Sequence, residues 1–555
     1  MRDIKEVAGQ LSLDEGLLDL HGRYRAKVHL DALLGSAPAH GTSARGKYVL
    51  VTAVTPTPAG EGKTVSAIGL SMGLNKLGRN AAVVLRQSSL GPTLGLKGGG
   101  AGGGVSRIEP LEESLIGLGS DLFAVESANN LLAALIDDAL MRDTVNVDPA
   151  TITWRRVIDM DDRGLRQIVT GLGGRTNGVL RETGFDITAA SEVMAVLGLS
   201  RDMTDLRRRL GSIVVGFDDD DKPVTAEQLR GPGAMAMLLR DALKPNLMQT
   251  SEGTPAFIHT GPFGNIAHGN SSVVADLIAL PRVDYLVTEA GFGADMGAEK
   301  LFHIKAPVSG LIPDAVVVVT TVRALKYHSG RFDSAPGGHA SEEIQQEDPQ
   351  AVAEGATNLD RHVRNMRQFG IPVVVAINRF PTDHPSELAA VREAATGAGA
   401  LAVAEHRAFA EGGDGAVALA EAVEEACRQP SHFTPLYRPE QSLRDKVHAL
   451  ATRMYGAADV KWDKAAELAL DRFTAAGYGT LPVCMAKTHL SISHDPTLKG
   501  APTGYTFPIR GARLSAGAGF VYVLAGDIMT MPGLPGRSRA AEIDIDSQGT
   551  TVGLV

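Results

Sequence analysis

The sequence has only two cysteines, Cys427 and Cys484, among its 555 residues. Two isolated cysteines exclude a disulfide framework and a cysteine-based zinc site. No apolar run reaches the roughly 18 residues that a membrane-spanning helix needs, and the first residues lack the apolar stretch of a signal peptide. These absences predict a soluble, cytoplasmic protein.

Positive charge is also scarce, because 54 lysines and arginines are outnumbered by 64 aspartates and glutamates. The net charge of −10, without any basic block, makes binding to nucleic acid or to a membrane surface unfavourable. We therefore expect small-molecule partners. Glycine, by contrast, is abundant at 63 residues, which indicates tight turns and close approaches of the backbone to a ligand.

The clearest structural pattern is a strand at 47–54, a Gly/Pro-rich turn, a helix at 64–77 and a strand at 81–85. Similar apolar runs recur later in the chain, with helical patterns between them. Together they predict an α/β fold with a mostly parallel, P-loop NTPase-like sheet and helices on both faces. We expect four regions, namely a discontinuous nucleotide-binding domain (1–125 plus 245–330), a mostly helical inserted lobe (126–244), a second α/β domain (331–435) and a C-terminal α+β domain (436–555).

The turn between the first strand and helix resembles a phosphate-binding loop. Such a loop has Gly, four residues, and then Gly-Lys-Ser/Thr, but here Thr57 occupies the first glycine position. The backbone amides and the helix N-terminus would bind phosphate, Lys63 would contact the β- and γ-phosphates, and Thr64 would contact Mg²⁺. The alternative is an ordinary glycine-rich turn. The candidate phosphate-binding residues are Thr57, Pro58, Ala59, Gly60, Glu61, Gly62, Lys63 and Thr64.

Several blocks along the chain carry a family resemblance. They are TPTPAGEGKT at 55–64, LGP at 90–92 with KGGGAGGG at 97–104, GTPAFIHTGPF at 253–263, TEAGFGAD at 288–295, CMAKTH at 484–489 and MTMPGLP at 529–535. The blocks are collinear and span nearly the whole chain, so together they are far more specific than any one motif. In them the chain resembles the formate–tetrahydrofolate ligases, also called formyltetrahydrofolate synthetases.

The resemblance implies a reaction and its requirements. The family makes 10-formyltetrahydrofolate from formate, ATP and tetrahydrofolate through formyl phosphate, releasing ADP and phosphate. Its members use Mg²⁺, are helped by a monovalent cation such as K⁺ or NH₄⁺, and are typically homotetramers. Two alternatives stay open: a related ligase with another small acid or amine acceptor, and a catalytically quiet ATP-binding paralogue.

Three residues are the catalytic candidates, namely Lys63, Arg86 and Asp121. Arg86 ends the second strand, where open α/β sheets bind their ligands, and a guanidinium suits a carboxylate or acyl phosphate. The family places this arginine against formyl phosphate, whereas the alternative is a surface ion pair. Asp121 matches a family aspartate near the reacting folate nitrogens; otherwise it is an ordinary loop or helix-start residue.

Metal and folate candidates come from two further stretches. Glu289 and Asp295 follow a predicted strand end and, with Thr64, are the candidate Mg²⁺ ligands, although capping or surface roles are equally open. By resemblance, Phe292 lies on one face of the pterin and Phe409, from the second α/β domain, on the other. The family usually has Trp at position 409, and either phenylalanine has core packing as its alternative.

The chain departs from the family pattern around the expected formate and folate positions. Gln87 and Ser88 replace the usual Glu-Pro after Arg86, and residues 117–121 read GLGSD instead of HFTGD. Val65 and residues 270–272 also differ. We expect Gln87 to weaken the formate site because an amide cannot balance the charge of Arg86. Lys97 is a further candidate for neutralising phosphate charge.

Overall fold

The fold is described from a computed structural model of residues 1–34, 45–95, 100–332, 342–536, 538–549 and 551–554. Lys97, the candidate for neutralising phosphate charge, lies outside the described residues. So do residues 333–341, which belong to a polar stretch of the sequence at 329–349. Cys427 and Cys484 are both buried and free of disulfides. Within the described ranges, no helix is long and apolar enough to cross a membrane.

The main sheet is built from apolar, β-branched segments whose side chains are buried on both faces, as in parallel sheets generally. Its strands are β1 (Leu18–Leu20), β2 (Ala26–Val28), β3 (Lys47–Ala53), β4 (Ala81–Leu85), β5 (Gly102–Gly103), β6 (Ser106–Glu109), β7 (Asn246–Thr250), β8 (Pro255–Ile258), β9 (Tyr285–Glu289), β10 (Ala315–Thr320), β11 (Val373–Asn378) and β12 (Ala402–His406).

The strand order β1-β2-β7-β8-β4-β9-β3-β10-β11-β12 places β3 between two parallel neighbours. Val49 of β3 pairs with Val287 of β9 on one side and with Ala315 of β10 on the other. The strands from β8 to β12 in this order are all parallel, whereas β1, β2, β7 and β6 pair antiparallel. The predicted α/β class is thus confirmed.

Helices cover both faces of the main sheet. Other helices form part of the inserted and C-terminal regions. Those of seven or more residues are α1 (Ile4–Gln10), α2 (Lys63–Lys76), α3 (Gly119–Arg142), α4 (Glu192–Leu199), α5 (Met203–Gly211), α6 (Pro232–Leu239), α7 (Val273–Ala279), α8 (Val322–His328), α9 (Pro349–Arg367), α10 (Pro385–Gly397), α11 (Val417–Arg428), α12 (Leu443–Ala449) and α13 (Lys464–Phe473).

Glycines let α2 pack closely against the segment after β12. A Cβ built on Gly69 would lie 2.3 Å from the Cβ of Ala408, and one on Gly73 would lie 2.8 Å from the carbonyl oxygen of Ala416. Real Cβ atoms do not approach so closely, so these positions require glycine. The close packing fixes the short helix Ala408–Glu411 beside the N-terminal half of α2.

The main sheet includes strands from two of the predicted regions. The predicted second α/β domain at 331–435 supplies β11 and β12, and β11 pairs in parallel with β10 from Val316 to Thr320. Because β11 hydrogen-bonds directly to β10, the two regions share one sheet and one core. The bounds of the predicted second α/β domain stay a prediction.

The remaining two predicted regions are the inserted lobe and the C-terminal region. The lobe at 126–244 contains most of α3, all of α4 to α6, and short strands such as Arg156–Ile158 and Val214–Phe217. The region at 436–555 has α12, α13 and a three-stranded sheet in the order Val483–Ala486, Phe520–Leu524 and Gly511–Ser515. The sequence predicts an α+β domain for this C-terminal region.

Candidate active site

The loop between β3 and α2, residues 55–62, is held in a curled conformation by its own residues. Gly60 and Gly62 have φ angles of 74° and 76°, which glycine adopts without strain. Thr57 donates hydrogen bonds from its backbone nitrogen and its Oγ1 to Oε1 of Glu61, at 2.6 and 2.9 Å. Thr57 thus closes the loop through Glu61, which explains how a threonine occupies the first glycine position.

Neighbouring strands and helices hold this loop from outside. Asn378, the last residue of β11, donates from Nδ2 to the carbonyl oxygen of Glu61 at 3.2 Å. Thr55 donates its N–H to Oδ1 of Asn358 at 3.1 Å, and its Oγ1 lies 3.0 Å from Nε2 of His362. His328 donates from Nε2 to the carbonyl oxygen of Thr55 at 2.8 Å.

Burial lowers the pKa of His328 and His362 to about 4, so both are neutral at pH 7.

Lys63 and Thr64 begin α2 and extend their side chains from its N-terminus. Lys63 Nζ lies 3.8 Å from Oε2 of Glu61, and its side chain keeps 17% of its surface exposed. Thr64 donates from Oγ1 to Oε2 of Glu289, the last residue of β9, at 2.8 Å. The helix N-terminus and the lysine together make this end of α2 electropositive.

The Thr64–Glu289 pair offers oxygen ligands of the kind that Mg²⁺ prefers. Among the residues described, no group of three Asp, Glu, His or Cys side chains could hold a metal by itself. Mg²⁺ commonly uses one or two carboxylates and completes its shell with substrate phosphates and water. The donor set at Thr64 and Glu289 therefore fits Mg²⁺ bound together with a phosphate.

Arg86 follows β4 directly and is packed against two neighbouring loops. Its Nη1 donates to the carbonyl oxygen of Pro262 at 3.3 Å. A Cβ on Gly291 would lie 3.0–3.1 Å from the guanidinium atoms, so this glycine leaves room for the side chain. The Nε of Arg86 is buried without a hydrogen-bond partner among the described residues. Such a donor is costly unless a ligand pairs with it.

One cavity of about 670 Å³ brings these groups together at the carboxyl edge of the parallel strands. Such edges are where open α/β sheets bind ligands. The residues lining the cavity include Lys63, Thr64, Arg86, Glu289 and Phe292, together with loop residues 56–62 and Phe263, Ile187 and Pro532. Among the described residues, two positive side chains, two carboxylates and two phenylalanine rings thus line the same cavity.

Asp121 lies outside the described lining of the cavity, and its expected place near the reacting folate nitrogens stays a prediction. It is in α3, and its Oδ1 is 2.8 Å from Nζ of Lys27. Asn246 donates from Nδ2 to the Asp121 Oδ2 at 2.8 Å. Asp121 is buried and is not among the described residues that line the cavity. The Asp121 carboxylate is thus held by Lys27 and Asn246.

Asp295 is likewise separate from the other two predicted metal ligands. Its Oδ2 lies 2.7 Å from Nζ of Lys487, and both side chains are almost completely buried. The described lining of the cavity does not include Asp295. Of the three predicted Mg²⁺ ligands, Thr64 and Glu289 therefore lie together at the cavity, whereas Asp295 is paired with Lys487; the Mg²⁺ site itself stays a prediction.

The two predicted folate-stacking phenylalanines have different environments. Phe292 lines the cavity, with a φ of 59° and its ring edge-on to Phe263 at 6.2 Å between centroids. Phe409 is 54% exposed on the short helix after β12, where its ring packs beside Gly103 and Gly104. It is not one of the described lining residues. The structure therefore places Phe292 in the cavity and leaves Phe409 outside its lining.

Gln87 has a structural partner that the sequence did not reveal. Its Nε2 donates to the carbonyl oxygen of Leu118 at 2.7 Å, and the side chain is buried. The Gln87 backbone N–H donates to the carbonyl oxygen of Thr260 at 2.7 Å. An amide, unlike a carboxylate, can supply this hydrogen bond to Leu118. The expectation that Gln87 merely weakens the formate site omitted this role.

Some residues that shape the site were missed from the sequence. Asn378 ends a strand at the ligand-binding edge, so its position was a usable signal. His489 contacts Phe292 with 4.9 Å between ring centroids, although it lies in the C-terminal region. No local pattern indicates that contact, because it depends on how the C-terminal region packs onto the sheet.

The fold and the cavity define a class: an α/β protein whose cavity, at the carboxyl edge of a parallel sheet, suits anionic ligands. The chain matches the family described as formate–tetrahydrofolate ligase over residues 1–555. It is 55% identical over 555 residues to a formate–tetrahydrofolate ligase of Roseiflexus sp. (strain RS-1), covering 100% of this chain and 98% of the relative. The enzyme of that name from Saccharopolyspora erythraea is 53% identical, with 100% and 97% covered. The chain therefore belongs to the formate–tetrahydrofolate ligase family and is a ligase.

Proposed function

We propose that this protein joins formate to N10 of tetrahydrofolate, using ATP and passing through formyl phosphate. The products are 10-formyltetrahydrofolate, ADP and phosphate. The observation that carries the proposal is that Lys63 and Arg86 line the same cavity, next to the Thr64–Glu289 pair. A ligase of this kind needs one positively charged side chain for the transferring phosphoryl group and a second for the small carboxylate.

In the first step, an oxygen of formate attacks the γ-phosphorus of ATP, and ADP leaves. Backbone amides of the loop and the N-terminus of α2 bind the phosphates, and Lys63 stabilises the charge on the transferring group. Mg²⁺ held by Thr64 and Glu289 would neutralise charge on the phosphate oxygens. Arg86 positions formate, because its guanidinium has an unpaired Nε–H and matches a carboxylate geometrically.

In the second step, the N10 amine attacks the carbonyl carbon of formyl phosphate, and the carbon–oxygen bond to phosphate breaks. Arg86 continues to hold the phosphate as it becomes the leaving group. The amine proton goes to the released phosphate or to water, and Asp121, which is paired with Lys27, stays a candidate for orienting the amine. The pterin stacks on Phe292, and we keep Phe409 as a candidate for its other face, to be tested by folate binding to Phe409→Ala.

The experiment for this proposal is a purified-protein assay with ATP, formate and tetrahydrofolate. Formation of 10-formyltetrahydrofolate and ADP in equal amounts, and only with all three substrates, supports the proposal. ATP turnover with another small acid, but not with formate, favours the related-ligase alternative. Nucleotide binding without any turnover favours the quiet paralogue.

The remaining family expectations stay predictions for this chain. Activity with and without K⁺ or NH₄⁺ tests the monovalent-cation requirement, and titration with Mg²⁺ tests the Thr64–Glu289 site. Light scattering of the purified protein tests the homotetramer. Cell fractionation tests the cytoplasmic location.

A further inference from the structure

A turn from the C-terminal region reaches the aromatic ring at the cavity. The strand Val483–Ala486 is followed by Lys487, Thr488 and His489, and the His489 ring is tilted by 30° to that of Phe292 at 4.9 Å between centroids. Phe292 lines the cavity, whereas the described lining does not include His489. The His489 imidazole thus contacts the ring of a residue that lines the cavity.

Buried polar contacts tie this turn to the loop that carries Phe292. Lys487 Nζ lies 2.7 Å from Oδ2 of Asp295, three residues after Phe292 in the chain. The backbone N–H of Lys487 donates to Oδ1 of Asn265 at 2.9 Å, and its Nζ donates to the carbonyl oxygen of Ser491 at 2.6 Å. The Asp295–Lys487 pair therefore fixes His489 relative to Phe292.

Phe292 depends on such support because of its backbone. Its φ of 59° is in the left-handed region, which a bulky residue adopts only when its surroundings hold it there. Gly264 contributes to this support because its backbone packs closely against the Phe292 ring. A Cβ at position 264 would lie only 3.0 Å from that ring. Phe263 contacts the ring edge-on. His489 adds the remaining aromatic contact from the C-terminal region.

We infer that His489 is a positioning residue for the acceptor substrate: it supports Phe292 from behind and so presents the opposite ring face to the pterin. Asp295 and Lys487 position His489 in turn. The inference rests on the proposed function, because it names a residue that determines how well the proposed folate site is formed. It also gives the C-terminal region a direct role in acceptor binding.

The test is the effect of His489→Ala on the KM of each substrate. Loss of one aromatic stacking contact predicts a roughly two- to tenfold higher KM for tetrahydrofolate. The KM values for ATP and formate should not change, since Lys63 and Arg86 are on other elements. His489→Phe should restore the wild-type KM for tetrahydrofolate. His489→Gln, a variant of similar size without an aromatic ring, should raise the KM for tetrahydrofolate as His489→Ala does. It replaces His489→Ala in the test if the alanine variant does not fold.

Two controls separate positioning from general destabilisation. His494→Ala removes another C-terminal histidine, whose ring is 5.5 Å from that of Tyr505, and should leave the KM for tetrahydrofolate unchanged. In a Phe292→Ala background, His489→Ala should cause no further rise, because its effect passes through that ring.

Additive effects in this cycle, equal rises in the KM values of ATP and tetrahydrofolate, or an unchanged tetrahydrofolate KM would overturn the inference. Failure of the proposed function has a different signature, because then even the wild-type protein forms no 10-formyl product.

Discussion

At the residue scale, Lys63 is the side chain on which phosphoryl transfer most depends. Lys63→Ala removes a preorganised positive donor from the transferring phosphoryl group, which should lower kcat by about 10²–10³-fold. The fold should survive because the lysine side chain is partly exposed and contacts only Glu61 among the charged groups described. Steady-state kinetics and thermal unfolding of the variant check both expectations.

The matched control is Lys76→Ala at the other end of α2. Lys76 pairs with Glu252 and Asp414 at the surface, and such pairs contribute about 0–1 kcal/mol. Its removal should leave kcat unchanged. Near-normal turnover in a folded Lys63→Ala protein would contradict the assignment of the phosphate loop.

A second residue-scale prediction concerns Gln87→Glu. The sequence alone suggests that a glutamate would improve the formate site, but the structure predicts the opposite. A carboxylate at this buried position would direct an oxygen at the Leu118 carbonyl and lose the donated hydrogen bond, at a cost of about 1–3 kcal/mol. We expect a lower unfolding temperature and a higher formate KM. A variant with wild-type stability and a lower formate KM would restore the original expectation.

At the element scale, the packing of α2 against the segment after β12 is the feature most sensitive to a single methyl group. Gly69→Ala would bring a Cβ within 2.3 Å of Ala408, and relieving such overpacking typically costs about 1–3 kcal/mol. Thermal unfolding should therefore occur at a lower temperature. Gly9→Ala in α1, where a Cβ meets nothing within 4 Å, is the control and should not destabilise the protein. Equal unfolding temperatures for the two variants would contradict the packing described.

Much of this element-level structure is predictable from the sequence, and the reason is local. The buried strands are continuous β-branched runs, so the predicted strands at 47–54 and 81–85 agree with Lys47–Ala53 and Ala81–Leu85. The loop and Arg86 were found because they follow strand ends. The partners of two carboxylates could not be predicted: nothing near Asp121 or Asp295 in the sequence reveals that Lys27 pairs with the first and Lys487 with the second. Those pairings form only through long-range packing.

At the scale of the whole molecule, Glu192 connects the inserted lobe to the C-terminal region. Its Oε1 accepts hydrogen bonds from the backbone N–H groups of Gly517 and Ala518, at 2.7 and 3.3 Å. Desolvation, partly offset by these bonds, raises the pKa of Glu192 to about 8. Because the folded-state pKa is above the ordinary value, the protonated form stabilises the fold at low pH. That contribution is complete below pH of about 4.5 and is lost as the pH rises through 8.

Glu192→Gln keeps an acceptor and removes the titration, so the variant should lose less stability than the wild type between pH 6 and pH 9. Urea unfolding midpoints of both proteins at the two pH values measure this difference. Parallel pH dependences would show that Glu192 ionises normally in the folded protein.

The central claim is that one cavity activates formate as formyl phosphate and passes it to tetrahydrofolate. The most direct measurement supplies formate labelled with ¹⁸O in both oxygens, together with ATP and unlabelled tetrahydrofolate, and determines the isotope in the released phosphate by mass spectrometry. Attack of a formate oxygen on the γ-phosphorus, followed by cleavage of the carbon–oxygen bond, places one ¹⁸O in each phosphate and leaves the other in the formyl group. Product formation with unlabelled phosphate would contradict the account, because formate would then have been activated by another route.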